Sequence, residues 1–304
     1  MVNHARWCVN VTKWKPNKEE WLRLTSSIAG EEVERINKFV FQEDAKSSLV
    51  GCALIRRFLT QATSTPSNEL EISRNRYGRP EVPRNYVESK QHWPKMIDFN
   101  VSHSGDYCVL AGIWSYEQPI DVSIGVDVTK IVSKNTKEEL SRFLTLMSRR
   151  EFTKQEWETV ENATDDRQKC INFTRLWCLK ESFIKSIGLG LSFKLHRIDF
   201  RFSELNKYNI TTDILKNKLV CDTTVLLDGK LATDWRFLET ALDDGHIVAI
   251  GYNIKAGVGI IRGHIDLNSS HFEELSVASI ADSLEPLVEA DENNWTLFCT
   301  RSTK

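Results

Sequence analysis

The sequence predicts an α+β fold made of two similar halves. Three observations carry this. The chain has 304 residues, about twice the ~150 residues of a typical domain. Two helical stretches followed by strands occur in the same order twice. The block Gly105-Asp-Tyr-Cys-Val-Leu-Ala-Gly-Ile-Trp114 resembles Gly245-His-Ile-Val-Ala-Ile-Gly-Tyr252. Hydrophobic residues are 41% and charged residues 27% of the chain, an ordinary globular composition that excludes a mainly disordered protein. A formal net charge of -2 excludes a surface that is one nucleic-acid- or membrane-binding field.

In the first half, residues 1–118, helices are predicted over 31–41 and 44–60. Val33, Ile36 and Val40, then Leu49, Ala53, Ile55 and Phe58, recur at helical spacing. Pro66 follows the second helix. Extended pieces come next at 70–73 and 98–102, with a turn around 77–80. Residues 107–114 are apolar almost throughout, which predicts a strand covered on both faces.

The second half, residues 119–258, opens with a strand over 123–129. Its period of two sets Ile124, Val126 and Val128 on one face and Gly125, Asp127 and Thr129 on the other. Helices are predicted over 149–163 and 168–188, the latter ended by Gly188. Strands follow over 195–202, 218–227, 234–239 and 246–253. Residues 259–304 form an acidic tail, a mobile extension or a strap, with one helix expected over 276–290.

The N-terminus carries no apolar stretch of signal-peptide length, and no run of about 18 apolar residues exists to span a membrane. The seven cysteines are scattered, with no Cys-x-x-Cys pair. They read as reduced thiols of a cytosolic protein.

Three constellations can carry chemistry. In Trp177-Cys-Leu-Lys-Glu-Ser-Phe-Ile-Lys185, Glu181 and Lys185 share one helical face. Taken alone they are a solvated ion pair. Asp127 stands between apolar neighbours, where an unpaired carboxylate is costly, and Gly125 leaves room beside it. A strand acid and a helix acid together suit a hard cation such as magnesium, which takes one or two protein carboxylates and fills its octahedron with water and phosphate.

The second constellation is basic: residues 72–96 hold six Lys/Arg and two acids. Within it lies Arg74-Asn-Arg-Tyr-Gly-Arg-Pro80, and arginine's planar fork suits phosphate. The third, Asn100-Val-Ser-His103, packs amide, hydroxyl and imidazole at a strand end. Its serine has no Gly-x-Ser-x-Gly frame, so a hydrolase triad is rejected.

Taken in order, these pieces resemble the surfactin-type 4'-phosphopantetheinyl transferases. The resemblance rests on Tyr77-Gly-Arg-Pro80, Asn100-Val-Ser-His103, Ile124-Gly-Val-Asp127 and Trp177–Lys185. It continues through Phe39-Val-Phe41, Asp44-Ala-Lys46 and Phe152-Thr-Lys-Gln-Glu-Trp-Glu158, and is nearest to the animal members. It implies two α/β-containing halves in a pseudo-twofold, pseudodimer arrangement, with coenzyme A and magnesium in the cleft between them. It implies transfer of phosphopantetheine from coenzyme A to a serine of a carrier protein, releasing adenosine 3',5'-bisphosphate.

Carried over by position, the resemblance gives Asp127 and Glu181 to magnesium. Glu181 becomes the base for the serine hydroxyl, and Lys185 steadies the diphosphate or relays the proton. Arg35, together with Arg74 and Arg79 of the loop that also holds Arg76 and Gly78, goes to phosphates of the nucleotide end. Asn100, Ser102 and His103 go to the nucleotide and its phosphates.

Bacterial members often carry Asp-x-Glu on the metal strand. Here the third position is Thr129, so two carboxylate ligands are expected. The implied acceptors are carrier domains of fatty-acid synthase, a mitochondrial acyl carrier protein and aminoadipate-semialdehyde dehydrogenase. A monomer is expected, with no nucleic-acid or membrane partner. Two other readings use the same acids: a magnesium-dependent phosphate-ester hydrolase, and a non-catalytic binder of coenzyme A or a carrier protein.

Overall fold

The computed structural model describes residues 2–117, 121–134, 136–203, 210–217, 219–255 and 271–304. The chain divides into two compact units, Met1–Pro119 with Phe272–Lys304, and Ile120–His271.

The first unit begins with β1 (Asn3–Asn10), α1 (Lys18–Ser26), α2 (Gly30–Asn37) and the 22-residue α3 (Gln42–Thr63). A hairpin follows, β2 (Ser73–Arg74) and β3 (Pro80–Glu81), then α4 (Arg84–Ser89), β4 (Met96–Ser104) and β5 (Tyr107–Ser115). β5 runs antiparallel between β1 and β4, and all nine of its residues are buried, as its unbroken apolar run predicts. α3 lies on this sheet. A Cβ on Gly112 would sit 2.3 Å from the Phe58 ring, so only glycine lets that ring reach the strand. Phe58 then packs against Trp7, Phe99 and Trp114.

β1 and α1 are elements the sequence pattern did not reveal. β1 buries Arg6 among its apolar residues, which breaks the alternation that signals a half-buried strand. α1 is started by a capping box, in which Asn17 and Glu20 satisfy each other's backbone N–H groups.

The second unit opens with β6 (Val122–Lys130), α5 (Lys137–Glu151), α6 (Lys154–Glu161) and α7 (Asp166–Ile187), again 22 residues long. Then come β7 (Ile198–Arg201), α8 (Thr212–Asn217), β8 (Thr224–Leu227), β9 (Lys230–Leu231), β10 (Trp235–Asp243) and β11 (His246–Ile254). The strand order β10-β11-β6 makes one antiparallel sheet and β7-β8-β9 another. α7 packs on the first, as α3 does in its own unit. Both long helices end on a left-handed residue, Ser64 at φ 55° and Gly188 at φ 68°.

The single helix expected over 149–163 is two helices. Thr153 interrupts it as an N-cap, with Glu156 closing the capping box. The strand expected over 218–227 is confined to β8, and residue 218 lies outside the described residues.

A buried node ties this unit together. Lys180 and Glu156 are both fully buried and paired at 2.9 Å. The ammonium also donates to the carbonyls of Leu195 and Ile198. Glu156 accepts from the backbone N–H groups of Thr153 and Phe200. An ion pair taken out of water is tolerable only when its remaining hydrogen-bonding capacity is met in this way.

Of the two readings of the tail, its described part follows the strap. Residues 272–304 pack into the first unit. β12 (Glu273–Glu274) pairs parallel with β1, and α9 (Val277–Ala281) and α10 (Asn293–Cys299) follow. Phe272, Leu275, Ile280, Leu284 and Phe298 are buried. Phe298 stacks on Trp21 with ring centroids 4.0 Å apart. Arg301 donates to the carbonyls of Ile36, in the last turn of α2, and Phe39, just past its end. The acidic count hid these spaced apolar anchors. The helix expected over 276–290 stops at Ala281, five residues before Pro286, which disfavours helix in the residue before it. The half boundaries expected at 118/119 and 258/259 fall outside the described residues.

None of the seven cysteines is in a disulfide among the described residues, and five of them are buried. Among the described residues no helix is long and apolar enough to cross a membrane.

Candidate functional site

In the second unit the site is built by how α7 lies on β6. Three points fasten them. The Cys178 thiol donates to the Asp127 carbonyl at 3.1 Å. The Ser182 carbonyl lies where a Cβ on Gly125 would be, 2.1 Å from it. The Ser186 hydroxyl donates to the Ser123 carbonyl at 3.0 Å. Steps of four along a helix advance about 6 Å and steps of two along a strand about 6.6 Å. The two repeats therefore stay in register over Cys178, Ser182 and Ser186 against Asp127, Gly125 and Ser123. Gly251 on β11 pairs with Gly125, so the strip beneath Ser182 has no side chains. The room beside Asp127 that Gly125 was expected to leave is taken by the α7 backbone.

This close approach delivers α7 side chains to Asp127. Lys185 Nζ donates to Asp127 Oδ1 at 2.6 Å, and Thr129 donates its hydroxyl to Oδ2 at 2.6 Å. Asp127 is 5% exposed. Glu181, one turn before Lys185, is half-buried and makes no hydrogen bond or ion pair among the described residues. Burial pushes its carboxyl above the usual range, and the Asp127 charge adds to this. Lys185 works the other way, and Glu151 raises it further. Two carboxylates close enough to oppose each other's ionisation call for a cation or a proton. Among the described residues no group of three or more His, Cys, Asp or Glu side chains forms a metal cluster. The oxygen set is two carboxylates and Thr129.

Glu151, the last residue of α5, is the contributor that the sequence did not single out. A lone acid in a helical stretch carries no signal of the charge it will face.

In the first unit the residues fall into separate groups. Arg35 on α2 and Arg74 on β2 converge on one carboxylate, Glu32. Arg74 grips it with Nε and Nη2, at 2.5 and 2.9 Å. Arg35 reaches Oε2 at 2.7 Å and also donates to Ser48. Burial opposes the charge on Glu32, but Arg74 and Arg35 outweigh it and hold the carboxyl down at about 2. Ile28, Ile55, Ile72 and Pro80 line the adjoining pocket.

The β2–β3 hairpin turns through Gly78 at φ 83°, a left-handed position that glycine takes without strain. The Asn75 side chain accepts from the N–H groups of Tyr77 and Arg79. Arg76 lies over the Tyr77 ring at 4.6 Å. Arg79 is turned inward: it is bonded to both oxygens of Asp98, at 2.8 and 2.9 Å, and to the Phe99 carbonyl.

β4 carries Asn100, Ser102 and His103. Asn100 and Ser102 are buried and His103 is exposed. Phe99 and Val101 face α3, against Phe58 and Gly51. By alternation Asn100 and Ser102 stand on the opposite face, and His103 is not on theirs.

Two family models match the chain. One, described as 4'-phosphopantetheinyl transferase, N-terminal, covers residues 12–115. The other, the 4'-phosphopantetheinyl transferase superfamily, covers residues 123–250. The chain is similar to the L-aminoadipate-semialdehyde dehydrogenase-phosphopantetheinyl transferase of Mus musculus, at 34% identity over 299 residues, covering 97% of this chain and 91% of the relative. It is similar to the Homo sapiens protein of that name at 33% over 303 residues, with the same coverage. A 4'-phosphopantetheinyl transferase of Bacillus subtilis is 28% identical over 194 residues, covering 64% of this chain and 75% of that protein.

Proposed function

The chain belongs to the 4'-phosphopantetheinyl transferase superfamily, and from that premise we propose that Asp127, Glu181 and Lys185 form the chemical part of its active site. The protein is an enzyme that transfers phosphopantetheine from coenzyme A to apo carrier proteins. Membership decides for the transferase over the hydrolase and the non-catalytic binder.

In the reaction a carrier-protein serine oxygen bonds to the phosphorus that bears pantetheine. The bond from that phosphorus to the bridging oxygen breaks, adenosine 3',5'-bisphosphate leaves with the electron pair, and the serine proton passes to a base. Phosphoryl transfer depends on positioning and charge neutralisation more than on covalent help.

Glu181 suits the base. It is half-buried, uncommitted among the described residues, and its carboxyl is pushed above its ordinary value by burial and the Asp127 charge, and a base must lie within reach of the proton it takes. Lys185 neutralises Asp127 and sits one helical turn from Glu181, placed to meet a phosphate oxygen. Asp127, Glu181 and a water beside Thr129 fit magnesium, since two opposed carboxylates with few other donors match its preference. When bound, that ion supplies Lewis-acid stabilisation of the diphosphate charge.

Arg35 and Arg74 are assigned to a phosphate of the nucleotide end, and Asn100, Ser102 and His103 to the nucleotide. Arg79, committed to Asp98, acts by holding the hairpin that presents Arg74, Arg76 and Gly78. The acceptors proposed are the carrier domains of aminoadipate-semialdehyde dehydrogenase and fatty-acid synthase and a mitochondrial acyl carrier protein. The enzyme is proposed to work as a cytosolic monomer.

The observation that carries this reading is the raised, uncommitted Glu181 carboxyl beside the Lys185–Asp127 pair. The test is incubation with coenzyme A, magnesium and a panel of apo carrier proteins. A phosphopantetheine mass increment on a carrier is the expected result, and no increment on any carrier refutes the assignment.

A further inference from the structure

We propose that Glu32 is a positioning residue that gathers Arg35 and Arg74 into one anion-binding pair and so sets the enzyme's preference for the 3'-phosphorylated nucleotide of coenzyme A. This rests on the reading above that the two arginines bind a phosphate of the nucleotide end. Two arginine forks on one carboxylate suit a dianionic phosphate monoester, and the monoester of coenzyme A is its 3'-phosphate.

Arg35 comes from α2 and Arg74 from the β2 hairpin, and their guanidiniums repel each other. Glu32 holds both, by a two-pronged contact to Arg74 and a 2.7 Å contact to Arg35. Its carboxyl, down at about 2, stays charged throughout the working range. The arginine side chains are 38% and 31% exposed against 22% for Glu32. The cations are therefore the more accessible groups.

Each arginine is steadied at a second point, Arg35 by Ser48 and Arg74 by the Gly78 carbonyl. Arg35 Nη1 has no partner among the described residues. One anion between two cations leaves the cluster with net positive charge and open donors, so a dianionic phosphate gains contacts without displacing Glu32. Without Glu32 the two long side chains disperse, and the ligand must bear the entropy of collecting them.

The competing effect is repulsion between Glu32 and the incoming phosphate. The two effects predict opposite signs. The experiment measures kcat/KM for coenzyme A and for 3'-dephospho-coenzyme A, with an apo carrier protein as acceptor, in the wild type, Glu32→Gln and Arg35→Ala. Thermal melting is recorded for each. The isosteric glutamine keeps the shape of the site.

The expected result is that Glu32→Gln lowers the preference for coenzyme A over the dephospho form about tenfold, the loss of one charge-assisted contact. A general loss of structure would lower both substrates alike and leave the ratio unchanged. An unchanged or increased preference in Glu32→Gln, with Arg35→Ala losing it, overturns the proposal alone. A preference that survives Arg35→Ala overturns the reading of the arginines and the proposal together.

Discussion

Lys185 Nζ lies 2.6 Å from Asp127 Oδ1, and Glu181, one turn earlier on the same helix, is left without a partner among the described residues. The helix therefore discharges one carboxylate and keeps the other bare. The bare one is the carboxyl that burial and Asp127 push up. This asymmetry separates the roles of two acids that look alike in the sequence.

Glu181→Gln should abolish transfer while coenzyme A binding largely survives, because the proposed nucleotide contacts are made by other residues. Mass analysis of the carrier reads transfer, and calorimetric titration with coenzyme A reads binding. Turnover near wild type in this variant would remove Glu181 from both metal and base roles.

Lys185→Ala should slow the chemistry more than it weakens binding. Lys185 also draws the Glu181 carboxyl down, so its loss lets that group rise further. A base must be ionised, and activity falls as pH drops through its pKa. The acidic limb of the pH–rate profile should thus move to higher pH. An unmoved limb and unchanged kcat would make Lys185 an ordinary ion-pair residue.

Glu32 should make stability depend on pH. Its carboxyl lies near 2 in the folded chain against 4.5 ordinarily. The stabilisation is fully present above about pH 4.5 and is lost as pH falls towards 2. It amounts to about 2 kcal/mol once solvent screening of this partly exposed group is discounted. Acid unfolding of Glu32→Gln should be correspondingly flatter over that interval. Identical acid-unfolding curves would show that the arginine contacts do not persist in solution.

Glu156→Gln removes the counter-charge of a fully buried ammonium and should cost about 3–5 kcal/mol in chemical denaturation. Replacing both partners, Lys180→Met with Glu156→Leu, should recover much of it. A single variant as stable as the wild type would contradict full burial of the pair.

Gly125→Ala would place a methyl group 2.1 Å from the Ser182 carbonyl and 2.3 Å from the Ser186 nitrogen. Both are helix backbone and cannot rotate away. We expect a loss of about 3 kcal/mol or more, with transfer falling as α7 lifts Lys185 from Asp127. Wild-type melting and activity would disprove the close seating of α7 on β6.

Much of this was legible in the sequence. The helical spacing of Leu49, Ala53 and Phe58 marked α3, and the apolar run of β5 marked a strand buried on both faces, because 3.6- and two-residue periods are local properties. Four motifs pointed to the family. β1 was hidden by buried Arg6, and the docking of the tail by an acidic count that obscured Phe272, Ile280 and Phe298.

The sequence by itself pointed to phosphate chemistry, through an arginine-rich turn followed by two acids and a lysine, and to a family by resemblance, while the same acids also allowed hydrolase and binder readings. Only the tertiary structure decided how the charges are spent. It paired Arg74 with Glu32, 42 residues away, Arg79 with Asp98, Lys180 with Glu156 and Lys185 with Asp127, 58 residues away. The physical reason is range. Periodicity sets which face of an element a side chain takes, whereas the partner of a charge depends on how elements distant in sequence come to rest against each other, as α7 does on the bare strip at Gly125 and Gly251.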